Sequence, residues 1–492
     1  MVITGGFVVL NILTAAWFPP PWRDEVAYAD PAIRFVLGKG FTSAAWSSQS
    51  ANSFWAANSP LHEILLIPWL KLFGVNLVAV RAFDIILCAI SVLLLWAACR
   101  RNGWVVGSRW RLFMCATLLM GNGLFLVARF GRPDGITVFI AAMLALQFEK
   151  SEDVRAHIIR RCGRILTAIA IPWAGLQLVV GIGAVCAFAL IFDWRKTWRF
   201  SAEVAVGIVA GFVLLLLFYS VQGQAKEFIE LTLGSGHTVT GQVAQFVVIH
   251  DKSARNNISG YIMRTLMFTE AWTIDPSFIC IALAMLTMWI TRGAREISTP
   301  ILRFGLMAGL GTPVVVLVSG KYPRYYAWMG FLVVTICAFG ALGRLWHTLG
   351  AKRRILITIP VVAGCLVGAP VAFARALSGR IVNYGNLYRF VRNNVVKSDQ
   401  AIVESAAYFA TIGWVSETYS VEYGGGRGFR ELPEQLKTAV TVLIVTPSSF
   451  ETVEKKIGGR WKAGSRLVVP GTPYSNTSQQ LIVYRRDAAD AK

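Results

Sequence analysis

The sequence predicts a polytopic α-helical membrane protein with about eleven transmembrane helices and a small α/β domain at its C-terminal end. Of the 492 residues, 55% are hydrophobic and only 15% are charged, whereas soluble domains carry roughly 25% charged residues. Long apolar segments recur through the first three quarters of the chain. About 20 apolar residues suffice for a helix to cross ~30 Å of hydrocarbon.

The apolar segments define the predicted spans: residues 3–18, 80–98, 112–128, 136–148, 165–192, 202–221, 276–290, 300–319, 325–342 and 355–374. Segment 165–192 is too long for one helix and has basic clusters at both ends. Because both ends then lie on the same side of the membrane, we predict two short helices that turn near Pro172-Trp173. The first segment lacks a basic region before it, so we expect a retained anchor rather than a cleaved signal.

Basic residues between the spans predict the topology. Short loops rich in Lys and Arg stay in the cytoplasm, and such clusters lie within residues 100–111, 150–164, 195–199, 292–295 and 344–354. This rule places the N-terminus inside and the C-terminus outside. The predicted outer loops are then residues 19–79, 129–135, 222–273 and 320–324. If residues 62–78 were a span, the basic clusters at 100–111 and 150–164 would lie outside, against this rule. We therefore predict an interfacial helix at 62–75.

The remaining composition excludes several classes of protein. The net charge of +21 is explained by the cytoplasmic loops, and no compact basic domain is present to bind nucleic acid. The eight cysteines include no CxxC pair, so the sequence predicts neither a disulfide framework nor a zinc site.

The tail has a different character from the rest of the chain. We predict a transmembrane domain at 1–377 and a periplasmic α/β domain at 378–492, since about 115 residues suffice for a small domain. Helix-like stretches at 386–394 and 450–456 alternate with β-rich runs at 440–445, 467–470 and 481–484. Turn signals at 424–426 and 471–473 separate them.

The first outer loop begins with two adjacent acids, Asp24 and Glu25, directly after Pro19-Pro20-Pro21. A charge at the edge of the bilayer is expensive unless it has a function. A carboxylate there can accept the proton of an attacking hydroxyl group. The alternative is that Asp24 is only the N-cap of the helix that follows.

Two further motifs lie in predicted outer loops. The second loop carries Arg129, Arg132 and Asp134, which suit a phosphate or a divalent cation, or else a β-turn. A loop before the next-to-last span carries Lys321 and Arg324. These cations can bind a lipid phosphate and stabilise the leaving group, or else anchor the chain at the interface.

The histidines in the outer loops form no metal-binding spacing. His62 opens the predicted interfacial helix, and His237 and His250 lie in the long third loop. We therefore expect solvated loop histidines.

In their order along the chain, these motifs resemble those of GT-C membrane glycosyltransferases. The similarity is greatest to bacterial relatives of protein O-mannosyltransferases and of the lipid A aminoarabinose and galacturonic acid transferases. It covers residues 1–375, with a looser likeness in the tail. The matching motifs are Asp24-Glu25 with Tyr28 and residues 32–40, Ser59-Pro60-Leu61 with residues 69–74 and Arg81, Arg132-Pro133-Asp134, and Lys321 to Tyr325.

The resemblance implies an inverting transferase that moves a sugar from a polyprenyl-phosphate donor to a lipid A, lipopolysaccharide or other envelope acceptor. The reaction would take place on the periplasmic face of a bacterial inner membrane, in contact with membrane lipids. Asp24 would be the catalytic base, and Glu25 would stabilise an oxocarbenium-like transition state. Lys321 and Arg324, with Arg129 or Arg132, would hold the donor phosphate.

Further site candidates follow from the same resemblance: Tyr28, His62, Asp134 and Tyr325. If a divalent cation takes part, Asp24 and Asp134 are its candidate ligands. One departure concerns residues 58–61, where relatives carry a basic residue and two prolines. His62 is a candidate replacement there, so the identity of the sugar stays open.

A membrane transporter or flippase for a polyprenyl-linked or polysaccharide substrate is the alternative function. Transporters place charged residues near the middle of their spans. Here the apolar segments carry few charges, Asp84 among them, and the acids gather at one edge of the membrane.

The topology can be tested with reporter fusions. A reporter that is active only outside the membrane should work after Arg380, and one that is active only inside should work after Arg109, because short basic loops stay cytoplasmic. An outside location for residue 109 would make residues 62–78 a true span and separate the outer motifs.

Overall fold

The computed structural model describes residues 2–46, 49–148, 154–234, 275–291, 299–318, 326, 328–375, 377, 384–421, 434–469 and 478–487. The chain divides into two compact units. The first unit consists of Met1–Val9, Asp84–Ala128 and Pro133–Ala374, and the second of Leu10–Phe83, Arg129–Arg132 and Arg375–Lys492.

The apolar segments form helices because a backbone in hydrocarbon must satisfy its hydrogen bonds internally. In chain order, the helices up to residue 375 are α1 (Val2–Leu13), α2 (Arg23–Val36), α3 (Leu61–Phe73), α4 (Leu77–Arg101), α5 (Ser108–Met120), α6 (Asn122–Arg129), α7 (Asp134–Leu146), α8 (Val154–Ala174), α9 (Leu176–Val221), α10 (Ala225–Phe228), α11 (Pro276–Ile290), α12 (Thr299–Val318), α13 (Trp328–Leu345), α14 (Ala351–Leu366) and α15 (Ala369–Arg375). A π-helical turn, Ile229–Gly234, follows α10, and a 3-10 turn, Trp346–Thr348, follows α13.

Within the described ranges, three helical segments are long and apolar enough to cross a membrane: Leu77–Arg101, Leu176–Val221 and Trp328–Thr348. The pair α5 and α6, bent by 54°, makes a fourth if it is one span. The number of about eleven crossings therefore stays a prediction. The helix break predicted near Pro172-Trp173 is confirmed, since α8 ends at Ala174 and α9 begins at Leu176. Helix α9 is itself interrupted at Asp193, whose backbone is not helical.

Small residues let α8 and α9 pack closely. A Cβ atom at Gly211 would lie 2.3 Å from the carbonyl oxygen of Ile169, and one at Gly207 would lie 2.5 Å from the Cβ atom of Ala168. The Trp173 indole donates a hydrogen bond of 3.0 Å to the carbonyl oxygen of Gly211. Close backbone approach of this kind is a common way for helices to associate in membranes.

The tail forms the small α/β domain that the sequence predicted. Its elements are α16 (Tyr384–Asn394), β1 (Gln400–Val403), α17 (Ser405–Thr411), β2 (Glu417–Ser420), α18 (Glu434–Ala439), β3 (Val442–Val445), α19 (Pro447–Ile457), β4 (Trp461–Val469) and β5 (Gln479–Arg486). The sheet order is β2-β1-β3-β5-β4, with β1 parallel to β2 and β3, and β5 antiparallel to β3 and β4.

The predicted helices at 386–394 and 450–456 lie in α16 and α19, and the three predicted β-rich runs overlap β3, β4 and β5. Strands β1 and β2 were not predicted. The glycine turn signals at 424–426 and 471–473 fall outside the described residues.

The loop that follows α2, the first predicted outer loop, shares its hydrophobic core with this sheet. Ala44 and Ala51 pack in one buried cluster with Ile402 and Leu443. The backbone NH group of Ser420 also donates a hydrogen bond of 3.1 Å to the carbonyl oxygen of Ala44. The second unit is therefore built from the first loop, residues Arg129–Arg132 and the tail together.

Candidate active site

Helix α2 starts directly after the run of three prolines. Its N-cap residue is Trp22, which is extended at φ −134° and ψ 169° and makes no side-chain capping hydrogen bond. Asp24 lies inside the first turn, where a negative charge interacts favourably with the helix dipole. The alternative that Asp24 is the N-cap is therefore wrong, because the helix begins at Arg23.

Asp24 forms an ion pair with Arg132, which comes from the second predicted outer loop. The Nη1 atom of Arg132 donates to the Oδ2 atom of Asp24. Arg132 is nearly buried, with 4% of its side chain exposed, whereas 32% of the Asp24 side chain is exposed. The pair therefore presents a carboxylate, rather than a guanidinium, to the solvent.

Aromatic rings enclose the Arg132 guanidinium. Its central carbon lies 5.5 Å from the centre of the Trp22 ring and 5.3 Å from the centre of the Tyr28 ring, both distances that allow cation–π attraction. The Asn58 side chain donates a hydrogen bond of 2.8 Å to the Tyr28 hydroxyl group. Three predicted site residues, Asp24, Tyr28 and Arg132, are thus brought together.

Glu25 points into the protein and pairs with Arg81 at the start of α4. Two hydrogen bonds of 2.6 and 2.7 Å join the guanidinium to both carboxylate oxygens, and neither side chain is exposed. The Nη1 atom of Arg81 also donates to the carbonyl oxygens of Ala15 (2.6 Å) and Pro19 (2.8 Å). Sequence reasoning included Arg81 in a matching motif but did not pair it with Glu25; its charge within an apolar segment was the available signal.

A glycine lets the second loop close over this buried pair. Gly131 has a φ of +57°, and a Cβ atom there would lie 2.8 Å from the Oε1 atom of Glu25. Left-handed backbone and lack of space both favour glycine. The next residue is Arg132, so the buried pair supports the loop that carries the partner of Asp24.

Arg129 holds the end of α6 to the chain that follows α1. It donates to the carbonyl oxygen of Phe18 at 2.9 Å and to the side-chain oxygens of Asn11 and Thr14 at 2.9 Å each, and it is fully buried. Its donors therefore bind protein acceptors. The predicted contacts of Arg129 and Arg132 with a phosphate have no support in this geometry, since the Arg132 guanidinium is also nearly buried, against Asp24.

His62 and Glu63 are both fully buried on α3. The His62 ring packs edge-on against Phe83 with 5.7 Å between the ring centres. The expectation of a solvated loop histidine is therefore wrong for His62, because tertiary packing covers the start of α3. Glu63 is a buried acid that sequence reasoning missed.

The tail contributes a phenol to the surroundings of the Glu25–Arg81 pair. Tyr384 is the first residue of α16, and its buried hydroxyl group has no hydrogen-bond partner among the described residues. Burial raises the pKa of Tyr384 well above its usual value, with smaller and opposing effects from Arg81 and Glu25. The tyrosine is therefore neutral at physiological pH.

Asp134 belongs to the first compact unit. Asp134 is the first residue of α7 in the first unit, is 5% exposed, and follows the N-cap Pro133. The buried Asp84 carboxylate packs against the same turn, since a Cβ atom at Gly135 would lie 2.3 Å from its Oδ1 atom.

Several residues fall outside the described ranges: Lys321, Arg324, Tyr325, His237 and His250. In the part of the chain that the structure describes, no three His, Cys, Asp or Glu side chains are grouped so that they could hold a metal ion.

Breaking the Glu25–Arg81 pair should destabilise the protein. Either Glu25→Gln or Arg81→Met leaves a buried charge without its partner, which costs about 3–5 kcal/mol. The double variant should be less destabilised than the sum of the two single variants, because the two sites are coupled. Thermal unfolding of the detergent-purified protein measures both effects.

The matched control is Lys226→Gln, which removes an exposed ion pair of 3.8 Å with Glu230. Its melting temperature should equal that of the parent, since exposed pairs contribute little. Parent-like melting of Arg81→Met would show that the buried pair does not hold the site together.

No protein-family model matches the sequence, and no curated protein matches it significantly. Solved structures do match. ArnT from Cupriavidus metallidurans bound to undecaprenyl phosphate has a TM-score of 0.58 and 14% identity, with 100% of this chain and 98% of that chain covered; its apo state gives the same values. The Archaeoglobus fulgidus oligosaccharyltransferase tethered with an acceptor peptide has a TM-score of 0.50 and 12% identity, with 96% and 74% covered. The chain therefore has the GT-C fold that these glycosyltransferases share.

Proposed function

We propose that the protein is an inverting membrane glycosyltransferase that takes a sugar from a polyprenyl-phosphate donor. The observation that carries this proposal is the partly exposed Asp24 carboxylate, held by Arg132 at the first turn of α2 in a chain with the GT-C fold. A structure of similar fold is described as bound to undecaprenyl phosphate, which supports a donor of this lipid class.

Asp24 is the proposed general base. Arg132 holds its Oδ2 atom, while the Oδ1 atom has no hydrogen-bond partner among the described residues. The free oxygen accepts the proton of the acceptor hydroxyl group as that oxygen attacks the anomeric carbon of the donor sugar. The bond between the anomeric carbon and the phosphate oxygen breaks with its electron pair, and the polyprenyl phosphate leaves. A single displacement inverts the configuration.

Cations stabilise the leaving phosphate in this proposal. Lys321 and Arg324 are the proposed ligands, as the motif order implies, whereas the nearly buried Arg132 is assigned to holding Asp24. Glu25 is assigned to the support of this site through Arg81, since both of its oxygens accept from that guanidinium. Tyr28 completes the aromatic wall around Arg132.

The acceptor that we propose is a hydroxyl group of lipid A, lipopolysaccharide or another envelope glycan. The proposed site of the reaction is the periplasmic face of a bacterial inner membrane, with the N-terminus in the cytoplasm and the tail in the periplasm. A lipid-linked donor and an envelope acceptor meet at that boundary.

Asp24→Asn should abolish transfer while leaving the donor bound. The amide keeps the shape of the side chain and can still accept from Arg132, but it cannot take a proton. Loss of a general base typically lowers kcat by ~10²–10⁴-fold. Turnover of a polyprenyl-phosphate sugar by the purified variant, with donor binding measured separately, gives the comparison.

Asp487→Asn is the matched control, because it makes the same chemical change at an exposed position of the tail. It should turn over like the parent. Transfer by Asp24→Asn within about threefold of the parent, far short of the general-base loss, would rule out the proposed mechanism. Movement of the lipid across the membrane without transfer would instead favour the transporter.

Charge reversal at Lys321 and Arg324 should also abolish transfer. Each charged contact to phosphate contributes about 1.5–3 kcal/mol, so Lys321→Glu with Arg324→Glu should cost roughly a hundredfold or more. The assay is turnover by membranes that hold equal amounts of folded protein. Lys352→Glu, at an exposed position in a predicted cytoplasmic loop, is the control. Near-normal turnover by the double variant would identify the motif as an interfacial anchor.

A further inference from the structure

Helix α2 carries a second buried acid beyond the proposed base. Asp30 is fully buried. Its Oδ2 atom accepts hydrogen bonds from the Ser43 hydroxyl group at 2.7 Å and from the backbone NH group of Ala44 at 2.6 Å. These donors belong to the first outer loop, so they tie the middle of α2 to its own loop.

The C-terminal domain binds the same carboxylate from the other side. The hydroxyl group of Tyr408, a fully buried residue of α17, donates to the Oδ1 atom of Asp30. Burial raises the pKa of Asp30 and also that of Tyr408. Because both groups are out of water, the hydrogen bond between them satisfies the Tyr408 hydroxyl group and the Oδ1 atom of Asp30.

A second contact follows one turn later along α2. Arg34, with only 6% of its side chain exposed, forms an ion pair with Glu417 at the start of β2. Lys39 binds the other oxygen of Glu417 and donates a hydrogen bond of 2.8 Å to the carbonyl oxygen of Ser416. The C-terminal domain therefore holds α2 at two points, both within the second compact unit.

Helix geometry connects these two contacts to the site. At a rise of 1.5 Å per residue, Asp30 lies about 9 Å and Arg34 about 15 Å along the axis from Asp24. Pro31 lies inside α2 and lacks the NH group for a backbone hydrogen bond. Asp30 and Asp24 both lie on the N-terminal side of Pro31, so a shift of Asp30 displaces the carboxylate at the first turn. A misplacement of about 1 Å can cost 10²-fold in rate.

We propose that the C-terminal domain is a positioning element of the transfer site: Tyr408 and Glu417 hold α2 through Asp30 and Arg34, and thereby fix the Asp24 carboxylate. This inference rests on the proposed function. It makes Tyr408 and Glu417 positioning residues that touch no substrate. The domain then contributes to turnover, and is not a module joined to the transferase by the chain alone.

The test uses the full chain in lipid nanodiscs with two variants, Tyr408→Phe and Glu417→Gln. Their controls are Tyr484→Phe and Glu451→Gln. Tyr484 stacks on Phe450 at 3.9 Å, and Glu451 is exposed on α19. Each control makes the same chemical change in the same domain at a position with no contact to α2 among those described.

Three quantities are measured for every variant: amide hydrogen exchange of residues 23–36, donor-binding stoichiometry, and kcat with the donor KM. We expect about tenfold faster exchange of α2 in Tyr408→Phe and Glu417→Gln, since local stability governs exchange. We expect kcat to fall by about 10–100-fold with the donor KM unchanged, since only the base is misplaced. The controls should match the parent.

An unchanged donor-binding stoichiometry distinguishes misplacement of Asp24 from partial unfolding, because partial unfolding would reduce bound donor and kcat together. Parent-like exchange of α2, or parent-like kcat in both variants, overturns the positioning role. Equal losses of bound donor and kcat overturn it too, because they indicate a purely structural effect. A parent that transfers no sugar from any polyprenyl-phosphate donor shows instead that the proposed function itself is wrong.

Discussion

The buried ion pair between Glu25 and Arg81 is the interaction on which the rest of the site depends. Removing two charges from water is costly, and the cost is recovered only with excellent geometry and further hydrogen bonds. Here the guanidinium meets both carboxylate oxygens and two backbone carbonyl groups, those of Ala15 and Pro19. The pair therefore joins α2, α4 and the end of the first segment. Gly131 packs directly on the Glu25 side chain, and the residue that follows it is Arg132, the partner of Asp24.

This pair also explains why two acids stand side by side in the sequence. Consecutive residues of a helix point about 100° apart, so Asp24 and Glu25 face different surroundings. Glu25 faces the interior and is fully buried, whereas Asp24 faces the edge of the unit and stays partly exposed. One acid is buried in an ion pair and its neighbour stays partly exposed, a division that the doublet alone does not reveal.

Local patterns predicted the helices well and the contacts poorly. The apolar segments became helices because hydrocarbon demands internal hydrogen bonding, and β3, β4 and β5 showed clear β-rich runs. Strands β1 and β2 are only four residues each, too short for a periodic signal. Among the candidate site residues, Asp24, Tyr28 and Arg132 were predicted from their motifs, and the structure brings them together. The pairing of Asp30 with Tyr408 joins residues 378 positions apart, and nothing in the local sequence encodes such a distance.

The charged residues of α2 show how one acid can stay partly exposed on a helix that is otherwise largely buried. Residues 25–34 of this helix are all buried, including Glu25, Asp30 and Arg34. Each of these three charges has a partner of opposite charge or several hydrogen-bond donors. A buried charge without such partners would change its protonation state. Since the neighbours are fixed in this way, the remaining acid, Asp24, can be both rigid and open. Its position then depends on loop, membrane helix and tail together, which is why the site is built from three distant parts of the chain.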